Sequence, residues 1–280
     1  MTYQTLLVQL DAGARCPARI ALAAQLAARF GSHVVGVAAT GLPDVLVTMN
    51  SAVPDGVEFI QVTENFLRER AEAVASVFEQ QLTAAGVASY ESRVVKGGTV
   101  ETIGRLARCS DLVLVGQDEP DAPVDGTSHD LPEQVMLLSG CPVLTVPYAG
   151  RFETLGTRAL IAWKDTREAA RAIREALPLL RGAGHVELIE VAEGSGPSAE
   201  TRSSLRDAER WLARHGIAAG TRLEPLAGDV GETLLTRAAD ASADLLVMGA
   251  YGHARVREWV LGGATRHLLG HMTLPTLMVH

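Results

Sequence analysis

Residues 243–249 read Ala-Asp-Leu-Leu-Val-Met-Gly, and residues 110–116 read Ser-Asp-Leu-Val-Leu-Val-Gly. Each stretch is a short apolar run closed by a glycine, which is typical of a buried β-strand. The two stretches lie 133 residues apart, and so do two later apolar runs that begin with proline, residues 142–146 and 275–279. Because chance seldom keeps such spacing, the sequence predicts two copies of one domain.

The correspondence extends toward the start of each half, where residues 5–11 match residues 158–164. A chain of 280 residues is long enough for two domains of ordinary size. We therefore predict an N-terminal domain over residues 1–148 and a C-terminal domain over residues 156–280. The first copy carries extra residues between about 41 and 64, which we expect to form a longer loop or an additional helical turn.

Short β-branched runs alternate with longer stretches of helical period in both copies, which indicates βαβ units and a parallel sheet buried on both faces. Asp165 with Glu168 is expected to cap the first helix of the second copy. The predicted fold class is α/β, with two Rossmann-like domains that are each an open, doubly wound sheet. Strands are expected near residues 4–10, 33–39, 89–95, 111–116, 142–147, 158–163, 185–191, 221–226, 244–249 and 275–279, and second-copy helices near 166–180, 199–215, 231–241 and 263–271.

Glycines cluster after the strand that ends at Met248, where open α/β sheets bind their ligands, so Met248 is a candidate contact residue at the start of this segment. Gly249 and Gly252 provide conformational freedom and close approach to a backbone. Gly262 and Gly263 then open a predicted helix. The free amides and the dipole of a helix start favour an anion, so this segment is predicted to hold a phosphate. The next residues, Ala264 and Thr265, would add an amide and a hydroxyl donor.

Gly249, Gly252 and Gly262 have the spacing of a known signature: glycine, two residues, glycine, nine residues, glycine, then serine or threonine. On this signature and on the closing strand after Pro275, the chain resembles the universal stress protein family over both copies. The resemblance implies a five-stranded parallel sheet in the order 3-2-1-4-5, of the adenine nucleotide alpha hydrolase-like type. Family members with an intact signature often bind ATP, whereas others bind no nucleotide.

In ATP-binding members an acidic residue at the end of the first strand lies near the nucleoside, and the glycine loop holds the phosphates. The second copy departs from this pattern twice. Lys164 occupies the acidic position, where it could face phosphate instead. Gly263 stands where the family has serine or threonine, which removes one hydroxyl contact and weakens binding by about 0.5–1.5 kcal/mol. Arg266 is the cation best placed to supplement phosphate binding.

The first copy has the opposite defect. Asp11 occupies the acidic position, but the 133-residue offset places Glu119, His129 and Asp130 where the second copy has glycines. Acidic side chains repel phosphate and fill the space that glycine leaves. The first copy is therefore predicted not to bind ATP. A different ligand, such as an apolar or lipid-like molecule, remains an alternative for a widened pocket there.

The formal net charge of −8 disfavours non-specific binding to nucleic acid. The three cysteines lie far apart, so neither a zinc cluster nor a disulfide framework is expected. Residues 1–11 lack the features of a signal peptide, and the apolar runs are strand-like. These features predict a cytoplasmic protein without a membrane partner.

No nucleophile, base or metal motif is readable, so catalytic and metal-ligating residues are both predicted to be absent, although slow ATP hydrolysis stays open. His267 and His271 are four residues apart on one predicted helix, but we interpret them as surface residues.

The leading hypothesis is a stress-associated cytosolic protein that binds ATP, or another adenine nucleotide with Mg²⁺, in the second copy. The alternative is an interaction scaffold of the same fold without nucleotide. The closing strands are predicted to pair antiparallel in an internal pseudo-dimer, because apolar sheet edges need covering. A homodimer is a further option.

Overall fold

The computed structural model describes residues 2–41, 56–118, 130–192, 198–250 and 263–280. These residues form two compact units that divide between residues 143 and 144. In both units, consecutive strand residues are buried, as Leu245, Leu246 and Val247 are in the C-terminal unit. Because successive side chains point to opposite faces, burial of consecutive residues means that both faces of the sheet are covered.

The strands of the N-terminal unit pair in the order β3-β2-β1-β4. The pairs β1–β2, β1–β4 and β2–β3 are parallel. The Val113 N–H donates to the Pro142 carbonyl at 3.0 Å, next to the start of β5 (Val143–Val146) at the division between the units. In chain order the unit contains β1 (Thr5–Leu10), α1 (Cys16–Phe30), β2 (His33–Ala39), α2 (Gly56–Ala84), β3 (Tyr90–Val95), α3 (Thr99–Ala107), β4 (Leu112–Gly116) and α4 (Leu131–Ser139).

The C-terminal unit contains β6 (Arg158–Ala162), α5 (Arg167–Leu180), β7 (His185–Ala192), α6 (Ala199–Arg214), β8 (Gly220–Pro225), α7 (Val230–Asp240), β9 (Leu245–Gly249), α8 (Gly263–His271) and β10 (Thr276–Val279). Its strands lie in the order β8-β7-β6-β9-β10, and all four pairs are parallel. This is the expected 3-2-1-4-5 order of an α/β sheet.

One aspartate has the same role in both units. Asp111 accepts hydrogen bonds from the Gln4 and Thr5 amides at 2.7 and 2.8 Å. Asp244, 133 residues later, accepts from the Thr157 and Arg158 amides at 3.0 and 2.9 Å. Each carboxylate therefore satisfies the free amides at the start of the first strand of its unit.

The start of α5 differs from the expected capping pair of Asp165 and Glu168. Thr166 is the N-cap, and its hydroxyl accepts from the Ala169 amide at 3.3 Å. Thr166 is extended and Asp165 lies outside the helix, so the carboxylate of Asp165 stands one residue too early to reach the third amide.

The segment predicted as an insertion, residues 41–64, contributes the first turns of α2, a helix of 29 residues. Residues 42–55 lie outside the described part of the chain. Among the residues that the structure describes, no helix has both the length and the apolar content needed to cross a lipid bilayer.

Candidate functional site

The order of strands in the C-terminal unit places a crevice at the carboxyl ends of β6 and β9. The chain leaves β6 toward β7 on one side and leaves β9 toward β10 on the other. Such a switch point is where open α/β sheets bind ligands. Lys164, which follows β6, and Gly249, which ends β9, both lie at this edge.

Gly249 is required by packing between a strand and a helix. A Cβ at this position would lie 2.5 Å from the Glu168 carbonyl carbon and still closer to the Ala169 nitrogen, both backbone atoms of α5. The φ of Gly249 is not in the left-handed region. Gly249 therefore does not adopt a backbone conformation that only glycine favours. Its role is to leave room for the first turn of α5.

The start of α5 already has a capping hydroxyl and a buried carboxylate from the chain itself. Besides the Thr166 cap, Glu168 is only 5% exposed, and Arg167 donates to its carboxylate. Burial opposes ionisation of Glu168, but the hydrogen bond from Arg167 and a backbone hydrogen bond hold its pKa below the usual range. A buried carboxylate at a helix start takes the place of an anionic ligand.

The first turn of α8 has a different character. It contains no acidic residue, and its first residue, Gly263, is exposed, with no atom of the described residues within 4 Å of the position of a Cβ. Arg266, one turn further on, is also exposed, and Ala264 is half-buried. The described part of this turn therefore presents a backbone with open space and one cation toward solvent.

Two predicted contact residues face the core instead. Thr265 is 3% exposed on the buried side of α8, so we correct its role from a hydroxyl donor to a packing residue. Met248 is 6% exposed within β9, between Ala162 on β6 and Met278 on β10. Its side chain belongs to the core of the sheet, which corrects its assignment to the site.

Helix α8 is held against α7 by a glycine that the motif did not include. A Cβ on Gly231 would lie 3.0 Å from both the Ala264 carbonyl oxygen and the Cβ of His267. His267 Nδ1 lies 3.6 Å from Asp229 Oδ1, and the Asp229 carboxylate also caps α7 by accepting from the Glu232 amide at 3.0 Å. This packing fixes the start of α8 relative to the sheet.

The remaining glycines of the motif, Gly252 and Gly262, lie in residues 251–262, outside the described residues. His267 and His271 stack with ring centroids 4.4 Å apart. Across the described ranges there is no group of three or more histidine, cysteine, aspartate or glutamate side chains suited to a metal ion.

Glu190, near the end of β7, is a partly buried charged residue that the sequence motifs did not mark. Its Oε2 is buried and makes no hydrogen bond in the described part of the chain. Burial raises the pKa of the Glu190 carboxyl to about 7, the charge of Lys164 opposes this rise, and the charge of Asp165 adds to it. A carboxylate inside the otherwise apolar end of a strand was the available sequence signal, but no spacing rule marks it.

In the N-terminal unit, the corresponding acid is engaged internally. Asp11 Oδ2 accepts from the Arg19 guanidinium at 2.5 Å and from the Gln9 side-chain amide at 2.8 Å. Arg19 is 2% exposed and also donates to the Gln9 carbonyl at 2.8 Å. Gln9 Oε1 in turn accepts from the Gly116 amide at 2.9 Å. This network joins the ends of β1 and β4 and directs Asp11 toward protein groups.

The crevice beside Asp11 is small, with a volume of about 40 Å³. It lies between the ends of β1 and β2 and the side chains of Leu67, Arg70 and Val74 on α2. The enclosed part of this crevice has room for a few water molecules. Glu119 and His129 lie outside the described residues, and the Asp130 amide donates to Asp118 Oδ2 at 2.6 Å.

Comparison with known proteins gives three levels of similarity. The profile of the universal stress protein family matches residues 157–280. Universal stress protein Slr1230 of Synechocystis sp. is 24% identical over 215 residues, which are 75% of this chain and 71% of that protein. The crystal structure of a universal stress protein from Archaeoglobus fulgidus DSM 4304 covers 98% of this chain and 97% of its own, with 18% identity and a TM-score of 0.75.

At that identity the crystal structure shows the α/β fold, and the profile match shows that residues 157–280 are similar to the universal stress protein family. A universal stress protein solved in complex with cAMP covers 53% of this chain and 100% of its own, with 23% identity and a TM-score of 0.37.

Proposed function

We propose that this protein, whose residues 157–280 match the profile of the universal stress protein family, is a stress-associated cytosolic protein that binds ATP or another adenine nucleotide. The proposed site lies in the C-terminal unit, at the switch point between β6 and β9. Binding itself is the proposed activity, and no catalytic residue is assigned. Mg²⁺ would accompany the triphosphate as its counter-ion.

The start of α8 is the observation that carries this proposal. Gly263 is exposed with open space around it, and the first turn contains no acidic residue. The free amides of a helix start and the positive end of its dipole stabilise an anion there. Of the two helix starts beside β9, only that of α5 is satisfied by a described carboxylate, Glu168.

Charge supports the same site. Lys164, which follows β6, and Arg266, in the first turn of α8, are both exposed cations. The whole chain has a net charge of −8. Positive charge at single positions of an acidic protein favours a small anion over an extended polyanion. Gly252 and Gly262 complete the proposed phosphate loop on the strength of the family resemblance.

The N-terminal unit is proposed not to bind nucleotide, because Asp11 is paired with Arg19 and the adjacent crevice has only about 40 Å³. We therefore expect a stoichiometry of one nucleotide per chain in calorimetry. Two equivalent sites per chain would contradict this assignment.

Gly263→Asp is the decisive variant, because it separates binding from folding. Within the described ranges no atom lies within 4 Å of the added Cβ, and an aspartate at a helix start stabilises the helix. We therefore expect thermal stability equal to or above that of the wild type, but at least tenfold weaker ATP binding, since the carboxylate occupies and repels the phosphate position.

Gly263→Asn is the matched control, with the same shape and no charge, and it should bind ATP within threefold of the wild type. Equal ATP affinity of the wild type and Gly263→Asp in calorimetry would refute a phosphate site at α8. Gly252→Asp tests the preceding part of the loop in the same way.

A scaffold without nucleotide is the second candidate, and two observations favour it. Lys164 replaces the family's acidic residue, and Thr265 is buried rather than directed into the crevice. Under this alternative, neither ATP nor inorganic triphosphate binds the freshly purified protein, and native mass spectrometry finds no small ligand with it.

A further inference from the structure

At the carboxyl edge of β6 and β7, a buried carboxylate oxygen has no partner among the residues that the structure describes. Glu190 Oε2 is buried and has no hydrogen-bond partner within the described ranges. Leaving a buried acceptor without a partner costs about 1–3 kcal/mol and more when the group is charged, so native proteins seldom tolerate it without a reason. Replacement by a neutral or apolar residue would remove this cost.

Neighbouring residues place Glu190 near the carboxyl end of the sheet, on the strand next to β6. The Trp163 amide donates to the Ile189 carbonyl at 2.8 Å, which continues the β6–β7 ladder one residue beyond β6 and brings the chain level with Glu190. The Trp163 indole donates to Ser204 Oγ on α6 at 2.9 Å. Strand β7 ends at Ala192, two residues after Glu190. The backbone of Glu190 therefore lies within two residues of the carboxyl end of β7.

We infer that Glu190 is a specificity-determining residue, whose carboxylate accepts hydrogen bonds from the nucleoside half of the ligand bound at this edge. This inference rests on the proposed nucleotide site. The phosphates lie at the start of α8, beyond β9, and the nucleoside extends across the end of β6 toward β7.

The chemistry of an ionised carboxylate restricts what it can recognise. It accepts hydrogen bonds and donates none. In an adenine nucleotide above neutral pH, the ribose hydroxyls and the exocyclic amine of the base are the donor groups. Lys164, at the end of β6, donates hydrogen bonds and accepts none, so it cannot receive a bond from these groups. Glu190 supplies the acceptor from the neighbouring strand.

The test is a set of calorimetric titrations at pH 8, where Glu190 is predominantly ionised. The ligands are ATP, 2′,3′-dideoxy-ATP, inosine triphosphate and inorganic triphosphate. The variants are Glu190→Gln, Glu190→Ala and a control, Glu187→Gln. Glu187 lies on the same strand but is paired with Arg222 at 2.8 Å, three residues before Glu190.

We expect Glu190→Gln to weaken ATP binding about fivefold, and Glu190→Ala tenfold or more, because a charge-assisted hydrogen bond is lost. Affinity for inorganic triphosphate should stay within twofold in all variants. For the analogue that lacks the recognised donor, dideoxy-ATP or inosine triphosphate, the wild type and both Glu190 variants should bind equally. Glu187→Gln should bind ATP like the wild type.

Three results would overturn the inference. The first is an equal loss of affinity for ATP and inorganic triphosphate, which would mean that Glu190 acts through the fold. The second is the same loss for ATP and both analogues, which would mean that no donor is recognised. The third is that the wild type binds ATP no better than inorganic triphosphate. The nucleoside would then add no affinity, although the phosphate site would still stand. If the wild type binds neither ATP nor triphosphate, the proposed function fails as well.

Discussion

Single charged residues decide how the two units differ at the residue scale. In both units a charged side chain follows the first strand at the corresponding position, Asp11 in one and Lys164 in the other. Asp11 is held by the buried guanidinium of Arg19, whereas Lys164 is exposed at the edge of its sheet. The N-terminal carboxylate therefore stabilises its own unit and is directed away from a ligand.

Arg19→Ala tests the structural role of this ion pair. Removal of one partner leaves a partly buried carboxylate uncompensated, so we expect the free energy of unfolding to fall by about 3 kcal/mol. Urea denaturation followed by circular dichroism measures this change. Arg105 on α3 is exposed, and Arg105→Ala should change stability by less than about 0.5 kcal/mol. Similar losses in the two variants would contradict the ion-pair argument.

Glu190 predicts a dependence of stability on pH. Burial, opposed by Lys164 and assisted by Asp165, raises the carboxyl pKa from 4.5 to about 7 in the folded protein. The folded state therefore binds the proton more tightly, and stability falls as the pH rises from about 4.5 through about 7. Below this window both states are protonated, and above it the loss is complete.

Glu190→Gln removes this ionisation without a large change of shape. The stability of the variant relative to the wild type should increase between pH 5 and pH 8. Since Glu190 is only partly buried, screening by solvent limits the change to the order of 1 kcal/mol. Thermal unfolding at the two pH values measures it, and an unchanged difference would show that the carboxyl titrates normally.

At the scale of elements, close approach of backbones determines how strands and helices meet. Gly249 lies against the start of α5, and Gly231 lies against α8. The glycine motif at the end of β9 thus serves packing at its first residue and leaves space at Gly263. The same motif therefore contains a glycine needed for close packing and a glycine with open space, and the spacing of the glycines does not tell the two apart.

Gly249→Ala should destabilise the C-terminal unit by about 2–3 kcal/mol, because the added Cβ would overlap backbone atoms of α5 that cannot move independently. Gly270, near the end of α8, has open space around it. Gly270→Ala should therefore stabilise the protein by about 0.5 kcal/mol through helix propensity. Urea denaturation distinguishes the two variants, and equal stability of Gly249→Ala and the wild type would argue against tight packing.

At the scale of the whole molecule, the pairing of β5 and β10 stays a prediction of the sequence. Both strands are apolar and close their sheets, and an exposed apolar edge invites association. If they pair antiparallel, the amides of both strands should all exchange with deuterium as slowly as those of a central strand. Rapid exchange of alternate amides would show that the edges are open.

The sequence by itself determined the order of elements and the class of the fold. Apolar runs of strand length alternate with helical periods, and the predicted strands of the second copy agree with β6 to β10 within about two residues. The reason is that burial on both faces of a parallel sheet demands continuous apolar runs, which are visible along the chain. The helix that begins at Gly263 was likewise predicted from residues that are neighbours along the chain.

Only the tertiary structure decided which side chains face the crevice. Thr265 and Met248 belong to a plausible motif, yet both are buried. Asp11 occupies the acidic position, yet Arg19, eight residues later, pairs with it. Glu190 comes from a neighbouring strand and matches no spacing. Burial and pairing depend on residues that meet only after the chain folds, whereas the periodicity that defines strands and helices is local.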